Sequence, residues 1–213
     1  LAVPTASFRA AYNGTVGAIN EIVISELARK MGRDEYDFRR ELLESDRHRA
    51  VLDKVAHEGQ WGKPMPAGTA QGLGLWDEFK SIIAVLMECD ARGREPRITR
   101  CTIAVDPGRV VNPRGLESLL MGETMDAISL VFHAGLHIER GAIRETGLAD
   151  FRWGRMYHSP FEIKVHILPP TQEVPGGAGE LGLPAACAAA ANAWARATGR
   201  PVRRFPLNEH SDP

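Results

Sequence analysis

Cysteine is scarce in this chain: three in 213 residues, Cys89, Cys101 and Cys187, too few for a disulfide framework and without metal-ligand spacing. Buried thiols are expected. The seven histidines are equally scattered. His133 and His137 lie four apart and could share a helix face, but neither a Glu-x-x-His pattern nor a third ligand accompanies them, so a zinc site is not expected. Charge of one sign is lacking as well. With 26 basic against 27 acidic residues and a formal net charge of -1, nothing draws the chain generally to nucleic acid or an anionic membrane. The local cluster Arg196, Arg200, Arg203 and Arg204 follows a helix C-terminus, where cations are favoured anyway. No apolar run reaches the roughly 20 residues of a membrane span. There is no internal repeat, and Leu1-Ala2-Val3-Pro4 carries no initiator Met, basic region or signal-peptide core. The expectation is one piece of a larger assembly, a soluble protein of the cytoplasm or periplasm.

What is present is an ordinary globular composition, 44% hydrophobic and 25% charged. One stretch organises it, Pro175-Gly176-Gly177-Ala178-Gly179-Glu180-Leu181-Gly182-Leu183-Pro184, followed by an alanine-rich run to Gly199. Its glycines predict a backbone free to adopt positive φ and to be approached closely, delivering Glu180 to the mouth of a helix. Pro184 suits the first turn, Ala185 to Ala197 has high helix propensity, and Gly199 with Pro201 stops the helix. Glu180 reads either as a first-turn acid stabilising the positive helix end, or as a general base aimed into a cavity. A phosphate cradle ranks third, because no Lys-Ser/Thr ending and no dinucleotide-type spacing is present.

Along the chain, helices are predicted from about Val16 to Met31, from Asp34 as cap through Leu43, and from Ser45 or Asp46 as cap through about His57. Ile19, Ile22, Val23, Leu27 and Ala28 form the apolar stripe of the first. From Thr69 the pattern becomes strand-like: Gly72 to Trp76, Ser81 to Met87 and Ile98 to Val105 predict an antiparallel meander. Asn112-Pro113 starts a long helix, Arg114 to Ala134, whose acids Glu117, Glu123 and Asp126 read as a solvated face. A hairpin around Arg140-Gly141, a strand over Phe161 to Leu168 and a short final strand over Val202 to Leu207 complete the reading. Helices and strands arrive in blocks, so the class is α+β, with a helical connecting segment over residues 1–68 and an α+β portion carrying the Glu180 loop over 69–213.

Val3-Pro4-Thr5 with Phe8-Arg9, then Glu21 and Ser25-Glu26-Leu27-Ala28, resembles the start of the last third of the large subunit of molybdenum hydroxylases, the xanthine dehydrogenase and aldehyde oxidase family. The isoquinoline 1-oxidoreductase type is the branch it looks like. Val105-Asp106-Pro107-Gly108-Arg109-Val110-Val111-Asn112-Pro113 is similar to that family's turn before its long helix, and Gly176-Gly177-Ala178-Gly179-Glu180 to the loop bearing its catalytic glutamate.

The resemblance implies helices and antiparallel strands of the C-terminal portion of a large subunit. It also implies a molybdopterin-type molybdenum cofactor, and oxidative hydroxylation of an aldehyde or N-heteroaromatic. In this scheme Glu180 is the general base, and Arg9, Gly177, Ala178 and Gly179 lie at the cofactor. No protein metal ligand is implied. The N-terminal portion of the large subunit would sit on a separate chain, and 2Fe-2S clusters on a small partner subunit.

Leu119 stands where the family has a cofactor-binding Gln, Asp126 where it places a glycine, and Ala6-Ser7-Phe8-Arg9-Ala10-Ala11 lacks the family's glycines. These departures motivate two alternatives: a cofactor-free homologue using Glu180 in hydration, dehydration or isomerisation, and a non-catalytic structural subunit. Without its partner, the chain is expected to be poorly soluble or unfolded.

Overall fold

The computed structural model describes residues 6–207, so Val3-Pro4-Thr5 of the opening motif lies outside the described residues. Three helices come first, α1 (Asn13–Lys30), α2 (Glu35–Leu42) and α3 (Asp46–Glu58). Asp34 caps α2 by accepting from the amides of Tyr36 and Asp37, an arrangement contributing about 1 kcal/mol. Ser45 occupies the same position before α3 but makes no side-chain capping bond. The expected stripe of α1 divides between two faces. Ile22 and Ala28 are buried with Ala18, whereas Ile19, Val23, Leu27 and Met31, four residues apart in turn, form an outward apolar line.

The meander follows as β1 (Thr69–Glu78), β2 (Ser81–Asp90) and β3 (Arg97–Asp106), antiparallel and in register from Glu78 opposite Ser81 and Ile82 opposite Asp106. Helix α4 (Pro113–Phe132) starts with Asn112 accepting from the Gly115 amide. His133 caps its C-terminus, so His133 and His137 do not share a helix face. A two-residue hairpin, β4 (Ile138–Glu139) and β5 (Ala142–Ile143), turns at Arg140-Gly141 as predicted. Strand β6 (Glu162–Ile167) then pairs parallel to β3, giving a mixed four-stranded sheet of order β1-β2-β3-β6. The chain returns as α5 (Gly182–Thr198), which Gly199 ends in the left-handed region at φ 68°.

Both faces of the sheet are covered, which is why β2 is buried from Ser81 to Cys89 rather than alternating. Ile83, Val85 and Met87 face α5, α4 and α1, while Ile82, Ala84 and Leu86 face Val51, Leu52 and Val55 of α3. Each such fully buried aliphatic contributes roughly 1.5–3 kcal/mol. The alanine helix lies directly on two glycines of β1. A Cβ at Gly72 would come within 2.1 Å of the Ala193 nitrogen, and one at Gly74 within 2.1 Å of the Ala185 carbonyl oxygen. Substitution at either would push α5 off the sheet and misplace whatever its first turn carries.

The predicted last strand is absent. Residues Val202 to Leu207 run as irregular chain, with Pro201 before and Pro206 within. Among the described residues its one ladder-like bond is Leu207 N–H to the carbonyl of Val131 on α4. Proline donates nothing to a sheet, and the segment docks on a helix instead.

Candidate functional site at the head of α5

The loop before α5 is held against the β1–β2 turn. Gly176 N–H donates to the Pro107 carbonyl at 2.7 Å and Gly177 N–H to the Phe79 carbonyl at 2.9 Å. A Cβ at Gly176 would meet Ser81 Oγ at 2.2 Å, and one at Gly177 would meet Phe79 Cβ at 2.7 Å. These glycines therefore serve close approach. The expected positive φ is not found at Gly176, Gly177 or Gly179; Phe79 and Lys80, in the turn they pack on, adopt it instead. Gly179 faces open space, and the N–H groups of Ala178 and Gly179 have no acceptor among the described residues.

Glu180 is half-buried, two residues ahead of the first helical residue, and makes no hydrogen bond or ion pair among the described residues. The carboxylate beside it is different. Glu123 of α4 has a fully buried side chain, and its Oε2 accepts from the Gly182 N–H at 2.6 Å. Gly182 is required for this, since a Cβ there would stand 2.2 Å from that oxygen. The other oxygen, Oε1, is buried without a hydrogen-bond partner, 3.7 Å from Arg9 Nη1. Arg9 Nη1 is likewise buried and unpartnered, and lies 3.6 Å from Asp126 Oδ2. One guanidinium nitrogen thus stands between two carboxylates, just too far from each for a hydrogen bond.

Burial pushes the Glu123 carboxyl up to about 7. The Gly182 N–H and the Arg9 charge act against that rise, and the negative charges of Asp126 and Glu180 add to it. Burial raises Asp126 too, with Arg9 opposing. The thiols of Cys89, Cys101 and Cys187 are buried and pushed up to about 12, so they are unreactive near neutral pH. No three metal-ligating side chains converge among the described residues.

The structure brings Arg9, Glu180 and the α5 entrance together, and adds Glu123, which was expected on a solvated face. The signal was present in the spacing: Leu120, Glu123, Thr124, Ala127, Ile128 and Val131 recur at helical intervals, putting Glu123 within the apolar stripe. Ala10, next to Arg9, is buried at φ 56°, a region that favours glycine. That strained residue stands in the segment where the resembled family carries glycines. Beyond Arg9 opens a cleft of about 690 Å³ lined by Phe8, Ile19, Val23, Leu183 and Phe205. Arg9 lines it and Glu180 does not. Among the described residues no helix is long and apolar enough to cross a membrane.

No family model matches the chain. It is 27% identical over 194 residues to the isoquinoline 1-oxidoreductase subunit beta of Brevundimonas diminuta, across 88% of this chain and 24% of that protein. It is also 27% identical over 209 residues to a membrane-bound aldehyde dehydrogenase (pyrroloquinoline-quinone) of Gluconacetobacter polyoxogenes, across 88% of this chain and 27% of that one. The chain thus spans about a quarter of the length of these curated relatives. Among solved structures, the aldehyde oxidoreductase of Desulfovibrio gigas superposes with a TM-score of 0.77 over 94% of this chain and 40% of that chain, at 12% identity, a likeness of fold. The resemblance read from the motifs, and the α+β class, are borne out by these relatives.

Proposed function

We propose that this chain, similar in sequence to isoquinoline 1-oxidoreductase subunit beta and in fold to aldehyde oxidoreductase, is the C-terminal portion of a molybdenum-hydroxylase-type catalytic subunit. Its reaction is oxidative hydroxylation of an aldehyde or an N-heteroaromatic, with Glu180 as general base. The observation carrying this reading is that Glu180, alone among the carboxylates at the head of α5, has no internal partner, while Glu123 and Asp126 lean on Gly182 and Arg9. A carboxylate left free beside a helix entrance is available to take a substrate-side proton.

A molybdopterin-type cofactor fits the donors present. The buried unpartnered Arg9 Nη1 and the free N–H groups of Ala178 and Gly179 are the groups an anionic ligand needs, and Gly177 keeps the loop seated on Phe79. When bound, the group supplies the oxidising centre that takes up the two electrons lost when a C–H bond becomes C–OH with oxygen from water. Glu180 accepts one of the two protons released, and Arg9 orients the anionic groups around it. The electrons would leave through 2Fe-2S clusters on a small partner subunit, and the remaining walls of the site would come from the N-terminal portion of the large subunit. The chain is thus read as a helical segment, residues 1–68, and a Glu180-bearing portion, 69–213, of one larger catalytic domain. Molybdenum analysis and pterin fluorescence of the purified active complex test this. Stoichiometric metal and pterin are expected, and active protein lacking both would reject it.

Leu119 and Glu123 favour a second reading, because Leu119 offers no hydrogen bond and Glu123 already occupies the first amide of α5. In that case the same Glu180 performs acid–base chemistry without the cofactor, and turnover persists in metal-free protein with no electron acceptor.

A further inference from the structure

Glu123 has no part in the proposed reaction, yet it is the most deeply placed charged group at the site. Its side chain is wholly buried, one oxygen holds the opening amide of α5, and the other is aimed at Arg9 without a hydrogen bond. A buried carboxylate that only filled space would be replaced at lower cost by an apolar residue. We propose that Glu123 is a positioning residue for Glu180, fixing the loop-to-helix junction through the Gly182 N–H in a manner that depends on whether Glu123 carries a proton.

The geometry supplies the coupling. Gly182 lies two residues beyond Glu180, and among the described residues the intervening turn is otherwise closed by a 3.3 Å bond from Leu181 N–H to the Ala178 carbonyl. The Glu123 contact is therefore the short anchor that sets where the loop ends. An ionised carboxylate bonds that amide more strongly than a neutral acid does, but burial outweighs this gain, so the closed junction holds Glu123 neutral and ionisation loosens it. Ionised Glu123 also draws Arg9 toward itself; neutral Glu123 leaves Arg9 to Asp126 and to an incoming anion. The charged groups facing Glu123 are Arg9 from the N-terminal segment, Asp126 from its own helix and Glu180 from the loop. Burial places its proton loss near neutral pH, so the junction changes state in the range where an enzyme works.

This inference rests on the reading of Glu180 as base, and two readouts keep the failures apart. The first is hydrogen exchange, followed by mass spectrometry, in the peptide spanning Gly179 to Leu183, measured on the full chain in its assembled complex and corrected for intrinsic rate. Protection is expected to fall several-fold between pH 6 and 8, and to be independent of pH in Glu123→Gln, which keeps an acceptor but cannot ionise.

The second is the pH profile of kcat/KM. Glu123→Gln should match the natural protein at pH 6, where both side chains are neutral, and depart from it at pH 8. Glu123→Ala should lose about a hundredfold at both, through misplacement of Glu180. Flat protection in the natural protein, or the same pH dependence surviving in Glu123→Gln, would overturn the inference. If Glu180→Gln kept full turnover while the exchange behaviour held, the base assignment would fail and the anchor would stand.

Discussion

Two arginines, Arg39 buried whole and Arg9 with only its Nη1 buried, show how differently one fold can treat the same charge. Arg39 of α2 is 2% exposed and saturated: it donates to Glu21 Oε2 at 2.9 Å, to the Glu21 carbonyl at 3.0 Å, to the Glu35 carbonyl at 3.1 Å and to Ser25 Oγ at 2.7 Å. Glu21 in turn accepts from the Leu75 amide, so this network ties α1 and α2 to the sheet. Arg9 has the opposite character. Its nearest carboxylate oxygens are 3.6 and 3.7 Å away, and its buried nitrogen has no hydrogen-bond partner. Full hydrogen bonding of Arg39 marks a side chain whose work is done by folding. An unpartnered donor held in place by the surrounding chain calls for an explanation, which the proposed anionic ligand supplies.

The largest effect that would break this comparison is on stability. Arg39→Ala strands Glu21 and Ser25 in the interior and should cost about 3–5 kcal/mol, read from chemical denaturation of the full chain in its complex. A loss no greater than that of Arg9→Ala would remove the distinction.

Next comes pH. Glu123 has a folded-state value raised to about 7 from an ordinary 4.5, so the folded protein holds the proton more tightly. Its stabilising contribution is complete below the unfolded value and is lost as pH rises through 7. The loss is on the order of 3 kcal/mol. Denaturation midpoints should fall between pH 5 and 8 in the natural chain and less so in Glu123→Gln; equal slopes would assign the titration elsewhere.

The smallest effect is Arg9→Ala at pH 6. With Glu123 protonated and the Arg9 side chain one-third exposed, it should cost under about 1 kcal/mol of stability while lowering affinity for the proposed anionic group.

Much of the frame was legible because local chemistry decided it. Asp34 caps α2, Gly199 stops α5 in the left-handed region, and the three strands of the meander fall where alternation put them. Long-range choices were not legible. Nothing in Glu162 to Ile167 says that it joins β3 in parallel after an intervening helix and hairpin. The strand foreseen at Val202 to Leu207 fails because Pro206 cannot donate, and α4 offers Leu207 a carbonyl.

At the site, Glu180 stands at the mouth of α5 where the sequence put it, while the loop glycines serve close approach rather than positive φ. Their missing side chains make room for Phe79 and Ser81, partners that become neighbours only after the sheet has formed. Glu123 was missed for the same reason. Three helical acids look alike in sequence until Gly182 of a distant helix admits one of them to the interior.

The most direct test of the central claim is turnover of Glu180→Gln in the assembled enzyme, with bound molybdenum measured in the same preparation. A fall in kcat of about 10²- to 10⁴-fold with metal content unchanged is predicted. Turnover within about twofold of the natural protein would contradict a proton-accepting role for Glu180.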